Sequence, residues 1–306
     1  MAKAPGKLRI AAVADLHFGR DGYGPPLRPL FDDLGERADV LALCGDLTDR
    51  GDPEEARGLA RVLSGTTIPT VAVFGNHDYE SGQTTELSKI LCDAGVHVLD
   101  GGTFEVHGVG FAGVKGFAGG FGRRALGPWG EEIIKLFVQE ALNEALKLET
   151  ALARLRSDRR VVLMHYSPVE ATVEGEPKEI YPYLGSSRLE EPLSRYPVDA
   201  VFQVFIGANS QQQGVPLPVF DLPLDGRHPV HRLGNQLFQV RAVDIGLDVA
   251  NGPPNVGGDQ VQHLLRHRRK ATDAQVARHH HNGNLHAGQK IHQIAIGIAQ
   301  LLITSV

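Results

Sequence analysis

The stretch DVLALCGDLTDRG, residues 39–51, joins an uninterrupted apolar run to a polar segment rich in carboxylates and glycine. Apolarity without alternation is typical of a strand that is buried on both faces, as in parallel sheets. Three more apolar runs stop abruptly at polar residues in the same way: LRIAAVAD (8–15), TVAVFGNHD (70–78) and RRVVLMHYSP (159–168). We therefore predict four buried strands with polar residues at their carboxyl ends.

Helical patterns lie between these strands. They cover residues 27–37, 53–64 and 84–94, and a longer one runs from 129 to 157. Strands that alternate with helices predict βαβ units, a mostly parallel sheet and an α/β fold. Residues 96–116 read instead as short strands joined by glycine turns, which indicates a second sheet.

Composition excludes several classes of protein. The chain has 306 residues, of which 42% are hydrophobic and 22% charged, and its net charge is -5. These values exclude a disordered chain, and the negative charge argues against a nucleic-acid partner. We interpret the two cysteines, Cys44 and Cys92, as buried, reduced thiols of a cytoplasmic protein. No apolar run is long enough to span a bilayer, so we expect no membrane partner.

Polar residues that can bind metal ions follow all four predicted strands: Asp15 and His17, Asp46, Asn76 with His77 and Asp78, and His165. Ligands of parallel sheets bind at the carboxyl ends of the strands, so we expect these side chains to meet in one place. Carboxylate, imidazole and amide oxygen together suit Mn, Fe or Zn, so the expected cofactors are divalent or trivalent ions.

The series D-L-H (15–17), G-D-L-T-D-R-G (45–51), G-N-H-D (75–78) and a later strand-end histidine resembles the calcineurin-like metallophosphoesterase superfamily. The resemblance covers about residues 8–202, and the string GDLTDRGDPEEA is most similar to the bacterial phosphodiesterase branch. It implies a four-layer αββα sandwich of two mixed sheets, with the metal site at the C-terminal ends of the strands. The implied activity is hydrolysis of phosphate mono- or diesters, small or nucleotide-like, by two metal ions and a bridging hydroxide.

The resemblance also assigns roles to individual residues. Asp15 and His17 would bind one ion, Asn76 and His165 the other, and Asp46 would bridge both.

A second set of residues would act beside the ions. His77 would stabilise the transition state and protonate the leaving group, and Asp78 would orient its ring or raise its basicity. Asp49 and Arg50 are expected to hold the ligand loops rather than to bind metal themselves, and the alternative for Asp49 is a turn or a helix cap.

The last family motif, G-H-x-H, has no counterpart in this chain. The strand that it should follow, VDAVF (198–202), continues as QVFIGAN (203–209) without a histidine. In the family these two histidines complete the two metal sites. The nearest substitutes, His228 and His231, lie 25 residues or more past the strand with H-x-x-H spacing.

Composition changes at the same place. Residues 198–306 contain no Glu, whereas residues 1–197 contain 17, and they hold 12 of the 14 Gln. We predict a metallophosphoesterase domain over residues 1–202, incomplete at its C-terminal part. Residues 203–306 form an atypical Gln- and His-rich tail, interpreted either as a polar, loop-rich second domain or as an out-of-frame or poorly ordered segment.

Two functional hypotheses follow. The first is an active phosphoester hydrolase. The second is a catalytically impaired protein of the same fold, which works as a binding or scaffolding module or is a frame-broken product without two metal ligands. The sequence does not specify an oligomeric state.

Two segments could form the rim of the site. Residues 113–129 carry Lys115, Arg123 and Arg124, which either meet a phosphate or are solvated charges on a surface turn. Residues 170–184 carry Tyr181 and Tyr183, which either stack on a base or aryl leaving group or pack within their own loop.

Overall fold

The structure is a computed structural model that describes residues 6–19, 28–31, 33–205, 217, 219–224 and 237–241. The strands within these ranges are β1 Lys7–Val13, β2 Val40–Cys44, β3 Thr70–Val73, β4 Val96–Val98, β5 Gly102–Val106, β6 Val109–Val114, β7 Arg159–Met164, β8 Ala200–Phe205, β9 Val219–Pro223 and β10 Leu237–Arg241. The α-helices are α1 Arg28–Phe31, α2 Leu34–Arg37, α3 Pro53–Leu63, α4 Thr84–Asp93, α5 Glu132–Arg154, α6 Tyr181–Leu184 and α7 Glu190–Arg195. None of the described helices is both long and apolar enough to cross a membrane.

The strands form two mixed sheets of five strands each. The first has the order β4-β3-β2-β1-β9, and all its pairs are parallel except β1 with β9. The second has the order β10-β8-β7-β6-β5, and only the β5–β6 hairpin is antiparallel. The α/β class and the second sheet predicted from the sequence are confirmed.

Alternate residues of the strands build the core between the sheets. Ile10, Ala42 and Val73 of the first sheet pack in one cluster with Phe111 and Phe202 of the second. Because side chains alternate along a strand, the intervening residues face outward on each sheet and need a cover of helices.

Helices cover both outer faces. Leu43 of β2 packs in one cluster with Leu59 of α3 and Leu87 of α4. On the other side, Met164 of β7 packs with Leu148 of α5. The layers are therefore helix, sheet, sheet and helix, which is the αββα sandwich that the resemblance implies.

Helix α3 begins at Pro53, as its sequence predicts. Asp52 caps it, because its Oδ1 accepts a hydrogen bond from the Glu54 amide at 2.9 Å. The Glu55 Oε2 atom accepts from the Asp52 amide at 3.2 Å and from the Arg50 amide at 2.9 Å. This capping box satisfies amides that the first turn leaves free, and it fastens the end of the 45–51 loop to the helix.

Several local predictions differ from the structure. The helix predicted over 27–37 is divided into α1 and α2, because Asp33 has a φ of 56°, which right-handed helices do not allow. Strand β4, predicted in the second sheet, instead pairs with β3 in the first. Cys44 is buried in β2 as predicted, but Cys92 is exposed on α4.

Two strands lie in the part predicted as an atypical tail. Strand β9 pairs with β1, where Lys7 Nζ lies 2.7 Å from Asp221 Oδ2, and β10 pairs with β8. The domain boundary at residue 202 stays a prediction, and His228 and His231 lie outside the described residues.

Candidate metal centre

The predicted ligands lie in loops at the carboxyl ends of β1, β2, β3 and β7, and the first two loops are joined through their backbones. The Asp15 amide donates to the Gly45 carbonyl at 3.0 Å, and the His17 amide donates to the Asp46 carbonyl at 2.9 Å. Segments about 30 residues apart in the sequence are thereby held side by side.

Three of the predicted ligands have strained backbones. Asp15, His17 and Asp46 have φ values of 52°, 41° and 48°. The left-handed region costs a residue other than glycine roughly 1–2 kcal/mol, and such strain persists only where the surrounding structure enforces it. Strain concentrated on adjacent polar residues indicates a functional site.

The two carboxylate oxygens of Asp46 face different histidines. Its Oδ1 accepts a hydrogen bond from the His77 amide at 2.9 Å and lies 3.6 Å from His165 Nε2. Its Oδ2 lies 3.8 Å from His17 Nε2 and 4.0 Å from His77 Nε2. A carboxylate placed between two groups of ligands can contribute one oxygen to each.

The ring of His165 has one nitrogen, Nε2, to which no described group donates a hydrogen bond. Its Nδ1 donates to the Cys44 carbonyl at 3.1 Å, and burial lowers its pKa, so the neutral ring has its lone pair on Nε2. That Nε2 lies 3.1 Å from Asn76 Oδ1 and 3.6 Å from Asp46 Oδ1. Three acceptors that converge in this way are satisfied by a cation, so these residues fit a metal ion.

Buried carboxylates crowd the same place. Burial raises the pKa of Asp15 well above its usual range, and the charges of Asp46 and Asp78 raise it further. Burial, and then Asp46, raise the pKa of Asp78 to about 6. Negative charge that is both buried and unbalanced favours the binding of a cation.

Within the part of the chain that the structure describes, two trios of side chains have the spacing of metal ligands. Asp15, Asp46 and His165 form one, and their ligand atoms lie within 4.8 Å of one another. The other trio, with the same spacing, consists of His17, Asp49 and His77.

The ring of His77 is oriented by a group that the sequence did not indicate. Its Nδ1 donates to the Asp49 carbonyl at 2.7 Å, and its ring meets the His17 ring edge-on at 4.4 Å between centroids. Burial lowers the pKa of His77, but Asp46 and the Asp49 carbonyl raise it by more, so the pKa lies above its ordinary value. Asp78 was expected to orient this ring or to raise its basicity; its described hydrogen bonds go to other groups, and its effect on the basicity of His77 stays a prediction.

Asp78 binds the loops instead. Its Oδ1 accepts from the Thr48 amide at 2.8 Å and from Thr48 Oγ1 at 2.6 Å. Its Oδ2 accepts from the Leu47 amide at 3.1 Å and the Gly75 amide at 2.8 Å. The buried carboxylate therefore joins the β2 loop to the β3 loop.

Glycine is required at two positions beside the ligands. A Cβ on Gly45, whose φ is 92°, would lie 2.4 Å from the His165 ring. A Cβ on Gly75 would lie 2.1 Å from Asp46 Oδ1. The glycines of both motifs thus allow the loops to approach the ligands closely.

The profile of one protein family, described as calcineurin-like phosphoesterase, matches residues 8–203. The chain belongs to the calcineurin-like phosphoesterase family. Membership makes it, at the level of the family, a metal-dependent hydrolase of phosphoesters. No curated protein matches the chain.

Solved structures similar to this phosphoesterase are distant in sequence. One is phosphopantetheinyl hydrolase from Mycobacterium tuberculosis, with 13% identity and a TM-score of 0.46 over 63% of this chain and 81% of that one. Another is TT1561 of Thermus thermophilus, with 18% identity and a TM-score of 0.38 over 65% of this chain and 82% of that one.

The two proposed rim segments of the phosphoesterase contact each other. The Gly119 amide donates to the Pro182 carbonyl at 2.8 Å, and the Gly120 amide donates to the carbonyl of Gly185, directly after the second segment, at 2.9 Å. Arg123 and Arg124 are exposed, whereas Tyr181 and Tyr183 are partly buried. Whether any of the four meets a substrate stays a prediction.

Lys115 does not belong to the rim. It was expected either to face a phosphate or to be solvated, but only 2% of its surface is exposed. Its ammonium lies among aromatic rings behind the ligand loops. Motif spacing does not predict this arrangement, because two of the three rings, those of Tyr79 and Tyr166, come from distant parts of the chain.

Proposed function

We propose that this chain hydrolyses small phosphate mono- or diesters, including nucleotide-like ones, at a centre of two metal ions. The ligands are Asp15, His17, Asp46, Asn76 and His165. The observation that carries the proposal is the position of Asp46, whose two oxygens face His165 on one side and His17 and His77 on the other. A cytoplasmic location stays a prediction.

In this proposal, one set of side chains holds the metal ions and another side chain transfers a proton. When bound, the ions, of Mn, Fe or Zn, supply polarisation of the phosphoryl group and activation of water. Asp46 would contribute an oxygen to each ion, and Asn76 and His165, whose Oδ1 and Nε2 atoms lie 3.1 Å apart, would hold one of the two.

His77 supplies the proton for the leaving group. Its Nδ1 hydrogen is committed to the Asp49 carbonyl, so Nε2 is the atom that exchanges a proton with a substrate oxygen. Asp78 is a positioning residue in this scheme, because it contacts the loops and not the ring.

The test is hydrolysis of bis-p-nitrophenyl phosphate and p-nitrophenyl phosphate by the purified chain, with and without Mn²⁺. We expect turnover that needs Mn²⁺ and falls at least about 100-fold in Asp46→Asn, which loses a shared ligand. The matched control is Asp93→Asn, an exposed carboxylate at the end of α4, which should hydrolyse like the unaltered protein. Turnover that persists in Asp46→Asn would overturn the proposal.

The second candidate is a binding protein that retains the fold without turnover. The absence of histidine between residues 166 and 227 favours it, since the family motif G-H-x-H would lie there. Calorimetric titration with Mn²⁺ separates the two candidates. A folded chain that binds Mn²⁺ but cleaves neither ester supports the binding protein, and Mn²⁺-dependent turnover excludes it.

A further inference from the structure

Lys115 carries an ammonium group that is buried behind the metal centre. It follows β6, and its Nζ donates one hydrogen bond, to the Gly116 carbonyl at 2.7 Å. The same Nζ lies 4.7 Å from the centroid of the Phe117 ring and 5.3 Å from those of Tyr79 and Tyr166. Three aromatic faces therefore surround the charge, an arrangement in which cation–π attraction is strongest because water is excluded.

Two of these rings belong to ligand loops. Tyr79 stands two residues after His77, and Tyr166 directly follows His165. The backbone of Lys115 also holds the second loop, because its carbonyl accepts from the His165 amide at 3.1 Å and the Tyr166 amide at 3.0 Å. One residue thus contacts the loop of His77 with its side chain and the loop of His165 with both side chain and backbone.

Burial lowers the pKa of Lys115, and the negative charge of a nearby carboxylate, Glu144, opposes this shift. Glu144 of α5 is fully buried, and its Oε2 accepts from the Gly116 amide at 2.8 Å. Its Oε1 lies 2.8 Å from Lys147 Nζ, which also pairs with Asp100. Lys147 therefore shares the carboxylate with the Lys115 region but makes no described contact with a ligand loop, which makes it a matched control.

We propose that Lys115 is a positioning residue whose caged ammonium sets the separation between the Asn76–His77 loop and the His165 loop, and through it the affinity of the site for metal. The inference rests on the proposed function, because it concerns the same metal centre. Replacing Lys115 by an apolar side chain of similar length removes the charge that faces all three rings, so the two loops lose a group that both of them contact.

The first measurement is the affinity for Mn²⁺, by calorimetric titration, of the full chain and its Lys115→Met and Lys147→Met variants. We expect Lys115→Met to bind Mn²⁺ at least about tenfold more weakly, as happens when groups that orient ligands are removed. Lys147→Met should bind with unchanged affinity. Equal affinity in all three proteins, or an equal loss in both variants, overturns the proposal.

The second measurement needs no metal. The His165 Nδ1 proton, which is held by the Cys44 carbonyl, is followed by nuclear magnetic resonance in the metal-free protein. We expect faster exchange with solvent in Lys115→Met and no change in Lys147→Met, and unchanged exchange in both overturns the proposal. If the unaltered chain binds no Mn²⁺, the proposed centre fails while the exchange rates still decide the role of Lys115.

A substitution of one of the three rings around Lys115 tests the proposal if Lys115→Met does not fold. Tyr79→Leu removes one aromatic face on the His77 loop and leaves the lysine in place. We expect a smaller loss of Mn²⁺ affinity in the same direction, and no loss would count against the proposal.

Discussion

Replacing Asp78 by Asn tests whether this carboxylate holds the ligand loops. The side chain is completely buried and accepts four hydrogen bonds, two on each oxygen. Asparagine keeps the shape but replaces one acceptor with a donor. Whichever side its amide nitrogen takes, two groups that now donate to the carboxylate must face another donor.

The cost follows from the better of the two orientations. With the amide nitrogen toward Thr48, the hydroxyl can rotate and accept, so only the Thr48 amide loses its partner. One buried orphan donor costs about 1–3 kcal/mol, and the bonds that remain on the other side weaken because the acceptor is no longer charged. Loss of the charge also relieves the cost of burial and the repulsion by Asp46 that raise the pKa of Asp78, which offsets part of this cost. We therefore expect Asp78→Asn to lower the free energy of unfolding by about 1–3 kcal/mol.

The assay is urea unfolding of the metal-free chain, followed by far-ultraviolet circular dichroism. Asp93→Asn, an exposed position on α4, is the matched control and should change the free energy of unfolding by less than about 0.5 kcal/mol. If Asp78→Asn is as stable as this control, the carboxylate does not hold the loops. Weaker Mn²⁺ binding in the same variant is expected, since the loops carry Asp46 and Asn76.

Three further substitutions probe the surroundings of the site. Gly75→Ala places a Cβ against Asp46 Oδ1, so the Mn²⁺ affinity measured by calorimetry should fall about tenfold or more. Gly65→Ala is the control, because Gly65 has open space around it and its substitution should leave the affinity unchanged. Equal affinities in the two variants would contradict the steric argument. Gln203 is buried, and neither of its amide atoms meets a hydrogen-bond partner among the described residues. Gln203→Met should therefore raise the free energy of unfolding in urea by about 1–2 kcal/mol, and a loss would mean that the amide is paired. Phe111→Ala, between the two sheets, should lower the same free energy by about 3–5 kcal/mol, and a loss under about 1 kcal/mol would contradict its place in the core.

The site could be located from the sequence because the strands are parallel. Each of the four apolar runs ends at polar residues, and parallel strands bring such ends to one edge. The structure accordingly places Asp46 beside His165, although 119 positions separate them, with 3.6 Å between Oδ1 and Nε2. Knowledge of strand direction was sufficient for this, and no side-chain packing had to be foreseen.

What the sequence did not predict depends on packing between distant segments. The partners of Asp78 are mostly backbone amides, which every residue has, so no residue type marks them. In the sequence, Lys115 cannot be distinguished from an exposed loop lysine. Its position among aromatic rings results from packing against Tyr79 and Tyr166, which are distant in the sequence. Cys92 follows the buried Leu91 on α4, and one step along a helix turns a side chain by about 100°, here out to solvent.

Around the site, each loop that carries predicted ligands is connected to the next one. Backbone hydrogen bonds join the β1 loop to the β2 loop, Asp78 joins the β2 loop to the β3 loop, and Lys115 contacts both the β3 loop and the β7 loop. Each of these described ties is made by residues that precede β8. The shape of the centre therefore depends on residues before β8, and the missing G-H-x-H lowers the number of ligands without removing the contacts that hold the remaining ones. Weak but specific Mn²⁺ binding is the result that this arrangement predicts for a chain without those two histidines.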